Sequence, residues 1–250
     1  MEFPQILLTG FNGREEALNR IKRYIHEITR VMYYRTSDLT HSRRVLWHLE
    51  SAISNILSVY SEFDINFART LALVHDDIEI LIGDPQLYDK ERMSPEELEK
   101  LYEKEKDAIK KMPQIYGQIA NGYDYATLLT AAKEKVKLES QFVSFFDKYD
   151  GAGEAWHEVF AGNYHFLRPA NMYIKRLCDF PTKYAAMEKF FDKFPGYLPY
   201  KFDFNYSIQS GKPYTSISLQ NNSGYAPYER WKRTIIQREG IDKLVLQIEF

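Results

Sequence analysis

Apolar positions recur every three or four residues through the first four fifths of this chain, the period of an amphipathic helix. Between 14 and 34 the stripe is Ala17, Leu18, Ile21, Tyr24, Ile25 and Ile28. From about His41 to Phe63 it is Val45, Leu46, Leu49, Ile53, Ile56, Leu57 and Tyr60. The loop Thr36-Ser37-Asp38-Leu39-Thr40, with several N-cap residues, leads into that second helix. A third helix is expected over 66–82, stopped by Gly83-Asp84-Pro85. Ser94-Pro95-Glu96-Glu97 has the form of a capping box with proline at the first helical position. It opens a helix to about Lys111 whose Glu and Lys content reads as a solvated face. Two further helical patterns occupy roughly 124–147 and 150–162, and the chain reads as all-α to about residue 192. The period then changes to two, in Tyr214-Thr215-Ser216-Ile217-Ser218-Leu219 and in Leu244, Leu246, Ile248 and Phe250. Ala226-Pro227-Tyr228-Glu229-Arg230-Trp231 between them has the pattern of a short helix start. The expected fold class is all-α with a small C-terminal β-containing appendage. It divides into a helical domain over 1–194 and an α/β appendage over 195–250.

Five residues of the third helix stand out from this pattern. His75-Asp76-Asp77-Ile78-Glu79 sits inside the apolar run LALVHDDIEILIGD. The adjacent His75 and Asp76 offer two types of metal ligand, and Glu79, one helical turn after His75, flanks the same site. Ionisable groups are costly among Leu71, Leu73, Val74, Ile78, Ile80 and Leu81 unless something compensates their burial, as a divalent cation does. His41, at the start of the second helix, and Asp147, in Phe145-Phe146-Asp147-Lys148-Tyr149-Asp150, supply a second imidazole and a second carboxylate. Two of each suit a first-row divalent metal with positions left for water and substrate. Such an ion acidifies water and polarises a phosphoryl oxygen, and Glu79 is then placed as general base or proton shuttle. Spacing alone does not bring these segments together. The competing account is helix caps and polar helix faces.

In this order the residues resemble the H…HD…D signature of the HD-domain metal-dependent phosphohydrolases. The closer resemblance is to the branch containing the YfbR-like 5'-deoxynucleotidases and the HD-domain-containing 2 proteins. The family's Arg-Thr loop before a His-Ser pair is matched by Arg35-Thr36 and His41-Ser42. Its His-Asp-x-x-Glu followed by Gly-Asp is matched by His75-Asp76-Asp77-Ile78-Glu79 and Gly83-Asp84. Glu139, Asp147-Lys148, Glu154 and Gly162-Asn163 match its later positions, so the resemblance covers about 15 to 170. It implies an all-α HD-domain helical fold holding one divalent metal ion on His41, His75, Asp76 and Asp147, with Mn, Co, Fe, Ni, Zn and Mg all compatible. It also implies Glu79 as catalytic residue, Asp84 near the substrate, release of phosphate from nucleoside 5'-monophosphates, and a homodimer. There are two departures. Thr40 stands where the family commonly has an acidic residue, and the upstream Arg-Trp pair that recognises substrate falls, on alignment at Arg35, near His26-Glu27. Arg30 or Arg35 is the expected phosphate-binding substitute, through charge-assisted hydrogen bonds.

Composition narrows the setting. A formal net charge of -2 and a pI near 6.3 argue against nucleic acid as a partner. No apolar run is long enough to span a bilayer, and no basic segment leads into an apolar signal core, so no membrane partner is expected. The single Cys178 excludes an intrachain disulfide and a cysteine-rich zinc site, and fits a cytoplasmic protein. Nineteen Tyr and sixteen Phe point to aromatic-rich packing or to a stacking surface, without choosing. Met32, Tyr33 and Tyr34 read as core or loop anchors, His48, His157 and His165 as structural, Asp77 as solvent-facing, and Glu139 as interhelical packing. The partner expected is a small phosphorylated substrate, a nucleotide above all. The rival readings are a hydrolase of a cyclic nucleotide or nucleoside triphosphate, and a non-catalytic metal-stabilised scaffold.

Overall fold

A computed structural model describes residues 8–24, 32, 35–85, 87–160, 163 and 166–198. The alternating segments expected between 195 and 250, together with Arg30, Tyr33, Tyr34 and His165, lie wholly or almost wholly outside the described residues. The chain forms two compact units, the first of 1–27 and 36–147, the second of 28–35 and 148–250.

In the first unit, α1 (Arg14–Arg20) is much shorter than the stripe from 14 to 34 suggests. Ile21 is already extended, and Lys22 pairs with Ser37 in an isolated antiparallel bridge. Helix α2 (Asp38–Leu57) starts a turn earlier than its apolar stripe, because the Ser37 side chain accepts a hydrogen bond from the Thr40 N–H. Helix α3 (Ile65–Val74) is capped in the same way by Asp64, which bonds the Phe67 N–H at 2.9 Å. The pattern expected to run unbroken to residue 82 is interrupted after Val74 and resumes as the single turn α4 (Glu79–Ile82). Gly83, at φ 78°, ends it in a left-handed conformation that favours glycine.

After α5 (Leu87–Lys90), the capping box forms as the sequence predicts. Ser94 Oγ accepts from the Glu97 N–H and Glu97 accepts from the Ser94 N–H, at the head of α6 (Pro95–Tyr116). A two-stranded hairpin, β1 (Ile119–Ala120) and β2 (Tyr123–Asp124), follows inside the region expected to be purely helical. Its Asn121-Gly122 turn has φ of 48° and 88°, the two left-handed positions that an Asn-Gly pair supplies. Helices α7 (Tyr125–Glu134) and α8 (Leu138–Phe160) divide at Lys135, which adopts φ 56°. The expected break near 148–150 is absent, and α8 runs through it.

The core of the first unit lies between α2 and α3 and is closed by α7 and the first half of α8. Leu49, Ile56 and Leu71 are fully buried there, each contributing about 1.5–3 kcal/mol. Several aromatics among the described residues pack in this core. Phe142 takes the edges of Tyr60 and Phe63, and His48, fully buried, stacks with Phe146. Glu139 accepts the Asp64 N–H at 2.9 Å, a link between helices as the sequence suggests.

Asp77 corrects its sequence reading. It is fully buried, gripped by both Nε and Nη2 of Arg14 at 2.6 Å and by the Tyr125 hydroxyl at 2.5 Å. Its place between Asp76 and Ile78 gave no sign of this, because the partners stand 63 and 48 residues away.

The second unit comprises the end of α8, then α9 (Leu167–Cys178), α10 (Phe180–Lys183) and α11 (Glu188–Lys193). Trp156, Phe166, Leu177, Met187 and Phe190 fill its interior. A Cβ on Gly151 would meet the Tyr173 ring at 2.7 Å, so this close approach requires glycine. Among the described residues, no helix is long and apolar enough to cross a membrane.

Candidate metal centre

The break after α3 builds the site. Asp77 N–H bonds the Val74 carbonyl, Glu79 N–H the Asp76 carbonyl and Ile80 N–H the Asp77 carbonyl, at 2.9 to 3.1 Å. These i to i+3 bonds tighten the chain so that residues three apart eclipse, which sets Asp76 and Glu79 on one side. The ring of His75 turns back over α3, and its Nδ1–H donates to the Ala72 carbonyl at 2.9 Å. This fixes the tautomer and leaves the Nε2 lone pair directed away from the helix.

That lone pair meets three other donors. His75 Nε2 is 3.2 Å from Asp76 Oδ2, and His41 Nε2 is 3.4 Å from the same oxygen and 3.3 Å from Asp147 Oδ1. The two imidazoles face each other with ring centroids 5.4 Å apart. Residues from α2, the α3–α4 turn and α8 thus converge: His41, His75, Asp76 and Asp147. The set passes a simple test of fit. Donors about 2.1 Å from a common ion stand roughly 3.0–3.4 Å apart along the edges of an octahedron or tetrahedron. The His75 Nε2 atom is buried and receives no hydrogen bond, so a cation satisfies an otherwise costly lone pair. His41 is wholly buried while each carboxylate side chain keeps 16% of its surface exposed, so the cluster opens on its carboxylate side. Burial alone raises the Asp76 carboxyl, but the adjoining His75 and His41 outweigh it and hold the group below the usual carboxylate range.

Beside this cluster lies a second group. Asp38, Glu79 and Asp84 each bring a carboxylate oxygen within 4.8 Å of the others. Burial raises Glu79 well above its ordinary range, reinforced by the charges of Asp76, Asp84 and Asp38. Asp84 is raised by burial too, with Arg23 opposing. Asp38, pushed up to about 7 by burial, is eased by Arg23, whose Nη1 lies 3.9 Å from Oδ1, and pushed further by Asp76 and Asp84.

Asp38 and Arg23 are the residues that sequence reasoning missed. Asp38 looked like one of several capping residues, and Arg23 lay in a stripe read as helix. Arg23 is buried, with its guanidinium 5.7 Å from the centroid of the Tyr24 ring. Arg35, by contrast, is half-buried in the second unit, where burial lowers its pKa and Glu158 opposes the shift.

The Asp38 shift has a measurable consequence. The folded, metal-free protein keeps a proton on Asp38 up to about pH 7, whereas the unfolded chain releases it near 3.8. Folding therefore binds protons in this window, and stability falls as pH rises through it, by at most about 1.4 kcal/mol per pH unit for one group. Thermal unfolding of metal-free protein between those pH values tests this. Asp38→Asn is expected to reduce the slope, and an unchanged slope refutes the assignment.

Comparison with known proteins agrees with this geometry. The 5'-deoxynucleotidase YfbR-like family matches over residues 16–197, a stretch that contains every donor described above. No curated protein matches the chain. Among solved structures, the fold is similar to that of a conserved hypothetical protein from Pyrococcus furiosus, at 21% identity and a TM-score of 0.53. That match covers 72% of this chain and 92% of the other. With the family model matching residues 16–197, which hold His41, His75-Asp76 and Asp147, the chain belongs to the YfbR-like 5'-deoxynucleotidase family of the HD-domain superfamily.

Proposed function

We propose that this protein is a metal-dependent phosphomonoesterase that releases phosphate from nucleoside 5'-monophosphates. The observation that carries the reading is the convergence of His41, His75, Asp76 and Asp147 from three separate elements, with Glu79 alongside. These four residues would hold one divalent ion. When bound, the ion supplies Lewis acidity toward a phosphoryl oxygen and an attacking water.

The chain's own groups do the rest. His75 keeps Nε2 available because Nδ1–H is spent on Ala72. Glu79 takes the proton from the attacking water, and burial with the charges of Asp76, Asp84 and Asp38 raises its affinity for protons. Asp84 lies against Glu79 and faces the substrate. Arg23 joins Arg30 and Arg35 as a proposed cation for the phosphate, and Arg23 has geometric support beside Asp38.

The test is phosphate release from a panel of ribo- and deoxyribonucleoside monophosphates with Mn²⁺ or Co²⁺ added, and Asp76→Ala as control. Turnover that vanishes in the control supports the proposal. Silence across the panel, with metal bound, overturns it.

A further inference from the structure

Arg14 takes no part in the chemistry above, yet it is buried directly behind the ligand pair. Besides its two bonds to Asp77, its Nη2 donates to the Leu73 carbonyl. That carbonyl is an orphan of the helix end, since the Asp77 N–H that would bond it in a continuing α-helix bonds Val74 instead. Leu73 and Asp77 bracket His75-Asp76 in the chain. One guanidinium therefore holds the last turn of α3 and the first residue beyond the ligand pair at a fixed separation.

Asp76 and Asp77 are neighbours, so their side chains leave the tight turn in different directions. Fixing where Asp77 points fixes where Asp76 points. The Tyr125 hydroxyl, donating to Asp77 Oδ2, adds a second anchor from α7, and Phe11 packs on the edge of that ring. Burial lowers the affinity of Arg14 for its proton, but Asp77 outweighs this and the guanidinium stays charged.

We propose that Arg14 is a positioning residue for the His75–Asp76 pair, acting through Asp77 and the Leu73 carbonyl. The inference rests on the metal-centre reading above. It differs from a stabilising ion pair, because replacing a buried pair by apolar groups of similar size often leaves stability unchanged. It differs from an electrostatic effect as well. Removing Arg14 leaves a negative charge behind the site and removing Asp77 leaves a positive one, so charge alone would move cation affinity in opposite directions.

The experiment measures Mn²⁺ affinity calorimetrically in the full chain, with folding followed by circular dichroism. The variants are Arg14→Gln, Asp77→Asn and the apolar pair Arg14→Met with Asp77→Leu. All three are expected to bind Mn²⁺ about 10–100-fold more weakly while folded, the usual effect of losing a group that orients metal ligands. Opposite shifts in the two single variants, with wild-type affinity in the apolar pair, would overturn the proposal in favour of electrostatics. Lower melting temperatures with unchanged affinity would overturn it in favour of stability alone. If the single variants do not fold, the apolar pair decides. Asp76→Asn separates the two readings. If wild type binds Mn²⁺, Asp76→Asn does not, and the Arg14 and Asp77 variants bind like wild type, only the positioning role fails. If wild type does not bind Mn²⁺, the metal centre fails with it.

Discussion

Asp76→Asn is expected to lose the divalent ion and to lower phosphate-ester turnover by on the order of 10³-fold. The substitution keeps the side chain's shape and removes only its charge, so the helical fold should persist. Its large effect follows from position. Asp76 Oδ2 lies within 3.4 Å of both imidazole Nε2 atoms, so it touches each histidine. An amide there offers the cation a weaker, neutral oxygen, or turns its NH₂ toward the imidazoles as a donor. Metal content after purification and dialysis, measured with phosphate release on the same sample, checks the prediction. A variant that keeps both ion and turnover would remove Asp76 from the ligand set.

Glu79→Gln should separate binding from chemistry. Glu79 neighbours the four-donor cluster through Asp76 but is grouped with Asp38 and Asp84, so the ion should remain at close to wild-type affinity. Turnover should fall by about 10²–10⁴-fold, the range for loss of a general base, with little change in KM. The glutamine still accepts and donates hydrogen bonds but cannot take a proton. Full turnover in Glu79→Gln would end its catalytic assignment, and loss of the ion would make it a ligand instead.

The helical periodicity located most of the described elements of the first unit, and the capping box at Ser94 formed at its expected residues. The misreadings share a cause. The stripe from 14 to 34 and that from 66 to 82 kept helical spacing across places where the backbone departs from a helix, at Ile21 and after Val74. Apolar spacing reports which side chains face the core, and an extended residue or a tight turn can satisfy that as well as a helix. The hairpin at Asn121-Gly122 had a local signal, but its strands of two residues are too short for alternation to register.

For the site, the sequence by itself determined which donors were available. With one cysteine, the ligands had to be imidazole and carboxylate, and their order along the chain carried the family. What it left open was every relation between segments far apart. Asp38 was indistinguishable from a capping residue, Arg23 from a helix charge, and Asp77 from a solvent-facing one. Only the tertiary structure set Asp38 against Glu79, brought Arg23 to within 3.9 Å of Asp38, and buried Asp77 between Arg14 and Tyr125. The physical reason is that a residue's own type fixes its chemistry, whereas burial and the charge of its neighbours fix its protonation and its role.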